Sequence, residues 1–182
     1  MAHPDMHRGA RRTVLRVVFA VLAGVQGSAN AAGPGGCDAF DWPLATELAW
    51  MVAADPLDAV SGGTVASLPE KAIALSLQPE AQTKLAVPAS GKPKSVPDRP
   101  FAGTVTVASL AKGGVYQVTL SGPGWIDVIQ DGQVAGSVSH TGKADCPSIR
   151  KSVRFELKPG PVTLQVTSVP AESIRITIRP AD

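Results

Sequence analysis

Five polar and aromatic residues in the second half of the chain form the best candidate for a functional surface. Trp125 and Asp127 stand two positions apart in a β-like segment, so their side chains share one face of a strand. His140, Asp145 and Arg150 follow in a loop-like stretch. An aromatic ring beside polar groups suits the recognition of a sugar or a peptide. These five residues are the predicted ligand-binding residues; the alternative is that Trp125 packs in the core and the others cap the fold.

Catalytic chemistry has little support, because the mature chain predicted below retains a single histidine. His140 could be the base of a Ser-His-Asp triad with Asp127 or Asp145, but no G-x-S-x-G segment identifies a nucleophilic serine. Asp127, Asp131 or Asp145 could pair for glycoside hydrolysis, although Asp131 occupies a turn. We assign no catalytic residue, no cofactor and no metal site, since two cysteines without nearby histidines do not fill a tetrahedral shell.

The first 31 residues have the pattern of an export signal. A basic stretch (residues 7–12) precedes a mostly apolar segment (13–27), and residues 29–31 (ANA) form the small-x-small pattern that signal peptidases cut. The apolar segment is too short and too interrupted for a stable membrane span. We therefore predict a signal peptide over residues 1–31 and a mature protein in the periplasm or outside the cell. Arg11 and Arg12 also fit the twin-arginine route, and the general secretory route stays open.

Removal of this signal changes the charge of the chain. The full sequence carries 17 Lys and Arg against 15 Asp and Glu. Residues 1–31 hold four of these bases and one of these acids, which leaves 13 bases and 14 acids. A near-neutral chain lacks the clustered positive charge of a nucleic-acid-binding protein. We predict a monomer with no nucleic-acid partner and no membrane span in the mature chain, and a periplasmic protein or a glycan as its ligand.

Cys37 and Cys146 are the only cysteines of the chain. In an oxidising compartment two such residues most simply form a disulfide. A pair of buried free thiols is the alternative. Closing a loop of about 100 residues stabilises a fold by about 4–5 kcal/mol in the chain-entropy model.

One helix near the N-terminus of the mature chain is expected to pack on a sheet. Residues 43–54 place Leu44, Leu48 and Met51 on one face at helical spacing, and Asp41 is the expected N-cap. Only Thr46 and Glu47 are clearly polar in this segment, so the helix is expected to pack on the sheet and to be tethered by Cys37.

The remainder of the chain has the short, alternating segments that are typical of antiparallel sheets. The predicted strands are residues 72–77, 84–87, 101–108, 115–120, 125–130, 133–138, 152–157, 162–167 and 174–179. Asp131-Gly132 is a preferred dipeptide of tight hairpin turns. Residues 88–100 hold four prolines without periodicity, which predicts an exposed loop.

This pattern predicts a mainly β protein, an antiparallel β-sandwich of the jelly-roll-like type with the N-terminal helix packed on it. A small barrel is the alternative. The sandwich is expected to form a single domain over residues 32–182. Three arginines on its strands, Arg154, Arg175 and Arg179, are expected to face solvent.

Four segments carry a resemblance to a known group: residues 37–44 (CDAFDWPL), 114–120 (GVYQVTL), 125–132 (WIDVIQDG) and 145–155 (DCPSIRKSVRF). They resemble small uncharacterised secreted proteins of alphaproteobacteria, over nearly the whole mature chain and including both cysteines. This resemblance implies no activity. Some members carry a homogentisate 1,2-dioxygenase label, which the residues do not support, because a 2-His-1-carboxylate iron site needs two histidines.

The sequence therefore favours an exported, non-catalytic β-sandwich that binds a partner or a small ligand in the periplasm. A periplasmic enzyme that uses the His140 region, either a hydrolase or the labelled dioxygenase, is the first alternative. A structural component of the cell envelope is the second.

Overall fold

The structure is a computed structural model that describes Met1 and residues 36–182. Apart from Met1, the predicted signal peptide and its cleavage site lie outside the described residues. Two single-turn 3-10 helices (Gly36–Asp38 and Glu80–Gln82) and one α-helix, α1 (Ala45–Val52), accompany the strands of this part of the chain. The strands are β1 (Leu57–Val60), β2 (Gly63–Val65), β3 (Ile73–Ser76), β4 (Gln78–Pro79), β5 (Phe101–Leu110), β6 (Gly114–Leu120), β7 (Trp125–Gln130), β8 (Gln133–Val134), β9 (Ser137–Gly142), β10 (Lys151–Leu157), β11 (Gly160–Val169) and β12 (Ser173–Pro180).

The strands form two facing sheets, which confirms the predicted mainly β sandwich and not the barrel. We call the sheet with the order β1-β3-β12-β6-β10-β9 the first sheet, and the sheet with the order β2-β5-β11-β7-β8 the second. Strand β4 pairs with β5 of the second sheet. One open side of the sandwich therefore lies at β1 and β2, and the other at β8 and β9.

Two strand pairs depart from the predicted antiparallel arrangement and make both sheets mixed. β1 pairs with β3, and β2 pairs with β5, in parallel. After β1 the chain crosses to the second sheet as β2 and returns as β3. Such a crossover brings a strand back in the same direction, whereas a tight hairpin would reverse it.

Alternate residues of the long strands fill the space between the sheets. Ile73, Leu120, Leu164 and Ile176 are fully buried there. This alternation is the pattern that the sequence analysis used, and it explains why the long strands were found within one or two residues of their true ends.

Three predicted details of the strands are wrong. Residues 84–87 are not a strand, because the backbone N–H groups of Ala86 and Val87 donate to the side-chain oxygen of Gln165, at 2.9 and 3.3 Å, and not to a neighbouring strand. Residues 133–138 do not form one strand but divide between β8 and β9, which lie in different sheets. His140 accordingly lies in a strand and not in a loop. Strands β1, β2 and β4 were not predicted.

Two local predictions are confirmed. Asp131 and Gly132 have φ angles of 54° and 74°, as the tight turn between β7 and β8 requires. Residues 88–100 contain no helix or strand and are mostly exposed.

Helix α1 is shorter than predicted and lacks the predicted cap. It begins at Ala45, after Leu44, which makes no side-chain capping bond. Asp41 lies further upstream, where its backbone N–H donates to Thr141 Oγ1 at 3.1 Å. The helix buries Glu47 and Met51, and Leu44 just before it is also buried.

The three arginines expected to face solvent instead lie beneath this helix or the segment that precedes it. Arg175 Nη1 donates to the carbonyl oxygens of Met51 and Ala53, at 2.5 and 2.9 Å. Arg179 Nη1 lies 3.4 Å from Glu47 Oε1. Arg154 stacks on the Trp42 ring, with its guanidinium carbon 4.3 Å from the ring centroid. The prediction is wrong because the helix segment covers the outer face of the first sheet.

The disulfide between Cys37 and Cys146 is confirmed. Its Cys146 belongs to a second, smaller core beneath the helix, with Leu44, Met51, Ala72 and Ile149. No helix of the described residues is long and apolar enough to cross a membrane.

Candidate functional site

A cavity of about 310 Å³ opens at the β8/β9 side of the sandwich. β8 pairs only with Ile129 and Gln130, so it leaves the edge of β7 at Trp125–Asp127 uncovered. The chain then crosses at Ala135 and Gly136 to begin β9 in the first sheet. This early crossing separates the two sheet edges and creates the cavity, which Trp125, Asp127, His140, Lys151, Val153 and Phe155 help to line.

Asp127 lines this cavity, and its carboxylate is already hydrogen-bonded by other groups of the protein. The residue is only 2% exposed. Its Oδ1 accepts hydrogen bonds from Trp125 Nε1 at 2.9 Å and from Ser90 Oγ at 2.5 Å. Its Oδ2 accepts from Ser90 N at 3.1 Å and, weakly, from Gln165 Nε2 at 3.5 Å. With these donors in place, Asp127 acts as an anchor for its neighbours and has little capacity left for a ligand.

Trp125 forms one wall and is half-buried. Its indole N–H is held by Asp127, and the backbone of Gly91 lies against its ring. A Cβ atom on Gly91 would come within 2.6 Å of Trp125 Cζ2, so only glycine allows this approach. The loop of residues 88–100 thus fixes the ring from outside while Asp127 fixes it from within.

Lys151 supplies the cation of the cavity. Its Nζ lies 5.1 Å from the centroid of the Trp125 ring, within the range of a cation–π contact. Partial burial lowers the pKa of Lys151; the negative charge of Asp127 opposes this shift and the positive charge of Arg150 adds to it. None of the ion pairs among residues 36–182 includes Lys151.

Sequence reasoning missed Lys151, although a usable signal was present. Lys151, Val153 and Phe155 alternate on one face of β10, and Val153 and Phe155 belong to the core between the sheets. The same period places the lysine at the end of an inward-facing row. A lysine at such a position is a better candidate than an exposed one, because its ammonium is partly removed from water.

The structure brings three of the five predicted residues together. Trp125, Asp127 and His140 line the cavity, with His140 exposed on β9 opposite Val153. Asp145 and Arg150 do not line it. The carboxylate of Asp145 accepts from the Gly36 N–H at 2.8 Å, and this hydrogen bond lowers the pKa of Asp145. The Arg150 backbone N–H donates to the carbonyl oxygen of Leu120 at 2.8 Å, so Arg150 continues the strand pairing.

A larger hollow, of about 750 Å³, lies at the β1/β2 side. It is bordered by two short edge strands and contains no aromatic side chain. Its one lysine, Lys71, is paired with Asp55 at 2.8 Å. The smaller cavity is the better candidate because it combines an aromatic ring, an unpaired cation and apolar core residues. Over the described residues, no cluster of three or more His, Cys, Asp or Glu side chains could hold a metal ion.

Comparison of the chain with protein-family models, curated proteins and solved structures found no match.

Proposed function

We propose that this protein is exported from the cytoplasm and acts as a non-catalytic binding protein that holds a small ligand in the cavity beside β7. One observation carries the proposal. The Trp125 ring, the Lys151 ammonium and the His140 imidazole surround a floor formed by Val153 and Phe155. Binding sites typically combine an apolar lining with a few polar groups that orient the ligand.

The contacts around the cavity support binding more than catalysis. A nucleophile and its base must lie within hydrogen-bond reach of each other. Among the side-chain hydrogen bonds of the described residues, His140 has none to Asp127 or to a serine. Asp127, the acid nearest to the cavity, is already bound by Ser90, Trp125 and Gln165.

The size of the cavity limits how much of a glycan or protein partner can enter it. A volume of about 310 Å³ lies near the lower limit of ordinary ligand pockets. It fits one small molecule, or a single sugar or side chain of a larger partner, and not an extended chain.

Filling the cavity tests this proposal. Gly136 lines the cavity, and a Cβ atom there would meet nothing within 4 Å, so Gly136→Trp adds an indole at the cavity lining without a clash at Cβ. Gly122→Trp is the matched control, because a Cβ atom at Gly122 meets only Ile174 Cδ1, at 4.0 Å, outside the cavity lining.

The measurement is a thermal-shift screen of the disulfide-bonded protein against sugars, short peptides, carboxylic acids, amines and alcohols. We expect at least one class to raise the melting temperature of the wild type and of Gly122→Trp, but not of Gly136→Trp. The proposal fails if no class does so, or if Gly136→Trp responds as the wild type does.

A further inference from the structure

We infer that the ligand of this cavity is a small amphipathic carboxylate, whose acid group pairs with Lys151 and whose apolar body packs on Trp125, Val153 and Phe155. This inference rests on the proposed binding function and specifies its ligand class.

The charges around the cavity favour an anion. Lys151 is half-buried, and a charge that is partly removed from water is unfavourable unless a counter-charge replaces the lost hydration. Asp127 attracts it from a distance, but no carboxylate of the described residues forms an ion pair with it. Arg150 adds a second positive charge nearby, and His140 adds a polar imidazole at the cavity wall. An incoming anion would provide the missing partner.

The floor of the cavity favours a ligand with an apolar body. Ile126, Val153 and Phe155 belong to the core between the sheets, and each is less than 10% exposed. The part of the cavity lining that these side chains form is apolar, so a ring or a short hydrocarbon chain fits against it better than a purely polar anion does. The Trp125 ring adds a flat aromatic surface beside Lys151.

The number of cations favours a monoanion. Lys151 is the only lysine or arginine among the described residues that line the cavity. A phosphate group carries a charge of about −1.5 to −2 at neutral pH and is usually bound by several cationic or backbone N–H donors. One ammonium group matches the single charge of a carboxylate.

Three probes of nearly equal shape test the charge requirement: phenylacetate, phenethyl alcohol and phenethylamine. Their affinities for the wild-type protein are measured by isothermal titration calorimetry at neutral pH. We expect phenylacetate to bind at least about tenfold more tightly than the alcohol, since a charge-assisted contact outweighs a neutral one. The amine should bind most weakly, because Lys151 repels it.

Lys151→Met tests the assigned partner, since methionine retains most of the apolar stem and removes the charge. We expect it to bind phenylacetate and the alcohol about equally. Lys158→Met is the matched control: Lys158 is exposed, pairs with Asp131 and does not line the cavity, so the wild-type preference should persist. As a test that needs no variant, the preference of the wild type should fall as alkaline pH removes the Lys151 proton.

The inference is overturned if the alcohol or the amine binds the wild type as tightly as phenylacetate, or if none of the three binds. It is also overturned if Lys151→Met keeps the full preference. In each case the proposed binding function still stands if another class of compound in the thermal-shift screen raises the melting temperature of the wild type but not that of Gly136→Trp. Failure of the whole screen would remove the binding function itself.

Discussion

At the scale of single residues, the carboxylate of Asp127 connects three separate parts of the molecule. It accepts hydrogen bonds from Trp125 on its own strand, from Ser90 in the loop that crosses the second sheet, and from Gln165 on β11. Gln165 in turn binds Ala86 and Val87 in the same crossing segment. One buried acid therefore holds the loop against the wall of the cavity.

We expect Asp127→Ala to destabilise the protein by about 1–3 kcal/mol, because the substitution leaves buried donors without an acceptor. Urea unfolding followed by circular dichroism measures this change. Asp58→Ala, at an exposed acid of β1, is the matched control and should change stability little. Equal effects of the two substitutions would show that Asp127 is not an anchor.

Gly91→Ala is expected to displace the Trp125 ring. The added methyl group would lie within 3.0 Å of three ring carbons of Trp125, so the ring must move and weaken its bond to Asp127. The indole N–H proton resonance of Trp125 should shift upfield as that hydrogen bond lengthens, and ligand affinity should fall. Gly136→Ala, which adds a methyl group in open space, should leave the resonance in place. An unchanged spectrum for Gly91→Ala would contradict the assigned contact.

The lowered pKa of Lys151 should make the free energy of unfolding depend on pH in the alkaline range. Its pKa in the folded protein lies below the ordinary value of 10.5, so the unfolded chain binds the proton more strongly. Stability should therefore rise with pH between the folded pKa and about 10.5, because the buried charge is lost there. Below the folded pKa the penalty is fully present.

Comparison of the wild type with Lys151→Met isolates this contribution, since the other titrating groups are shared. The difference in the free energy of unfolding should change in favour of the wild type as the pH rises from about 8 to about 10.5. A difference that stays constant over this range would show that Lys151 is fully hydrated in the folded protein.

At the scale of secondary-structure elements, helix α1 is held by polar contacts as much as by apolar packing. Arg175 binds two carbonyl groups at its C-terminal end, where cations are favourable. Glu47, fully buried, binds Gln117 of β6 and lies near Arg179 of β12. The outer face of the first sheet is thus an interface with the helix.

Arg175→Met should therefore destabilise the protein by about 1–3 kcal/mol, since it leaves helix carbonyl groups without their donor while retaining an apolar stem. Arg99→Met, in the exposed loop, is the control and should have little effect. Thermal unfolding measures both. If Arg175→Met were neutral, water would satisfy those carbonyl groups as well as the arginine does.

Sequence patterns predicted the strands in which burial of one face produces an alternating pattern of apolar and polar residues. Alternation located β10, β11 and β12, because alternate residues of these strands lie in the core between the sheets, and β-branched and aromatic composition located β5, β6 and β7. The same alternation cannot show what covers the other face, so the arginines beneath α1 were assigned to solvent. β1 and β2 were missed because strands of three or four residues, with half-exposed patterns, carry too little periodicity.

The candidate site was predicted only in part, for a related reason. Trp125 and Asp127 were placed on one face of a strand from local spacing alone. Their meeting with Lys151 depends on the crossing of the chain from β8 to β9, which separates the sheet edges at this point. Local spacing contains no information about that crossing.

At the scale of the whole molecule, the disulfide attaches the helix-bearing segment to the sandwich. Cys37 precedes α1, and Cys146 lies in the loop that leads into β10 and thus to Lys151. The neighbouring bond from Gly36 to Asp145 reinforces the same junction. The larger core between the sheets contains neither cysteine.

The double variant Cys37→Ser, Cys146→Ser should therefore lose about 2–5 kcal/mol of stability, because the unfolded chain is no longer constrained by the long loop. The loss should be uneven in space. Amide hydrogen exchange should accelerate most in residues 36–52 and 143–150, which surround the smaller core, while β5 and β11 stay protected until global unfolding. A uniform acceleration over all strands would instead show that the smaller core and the sandwich unfold as one unit.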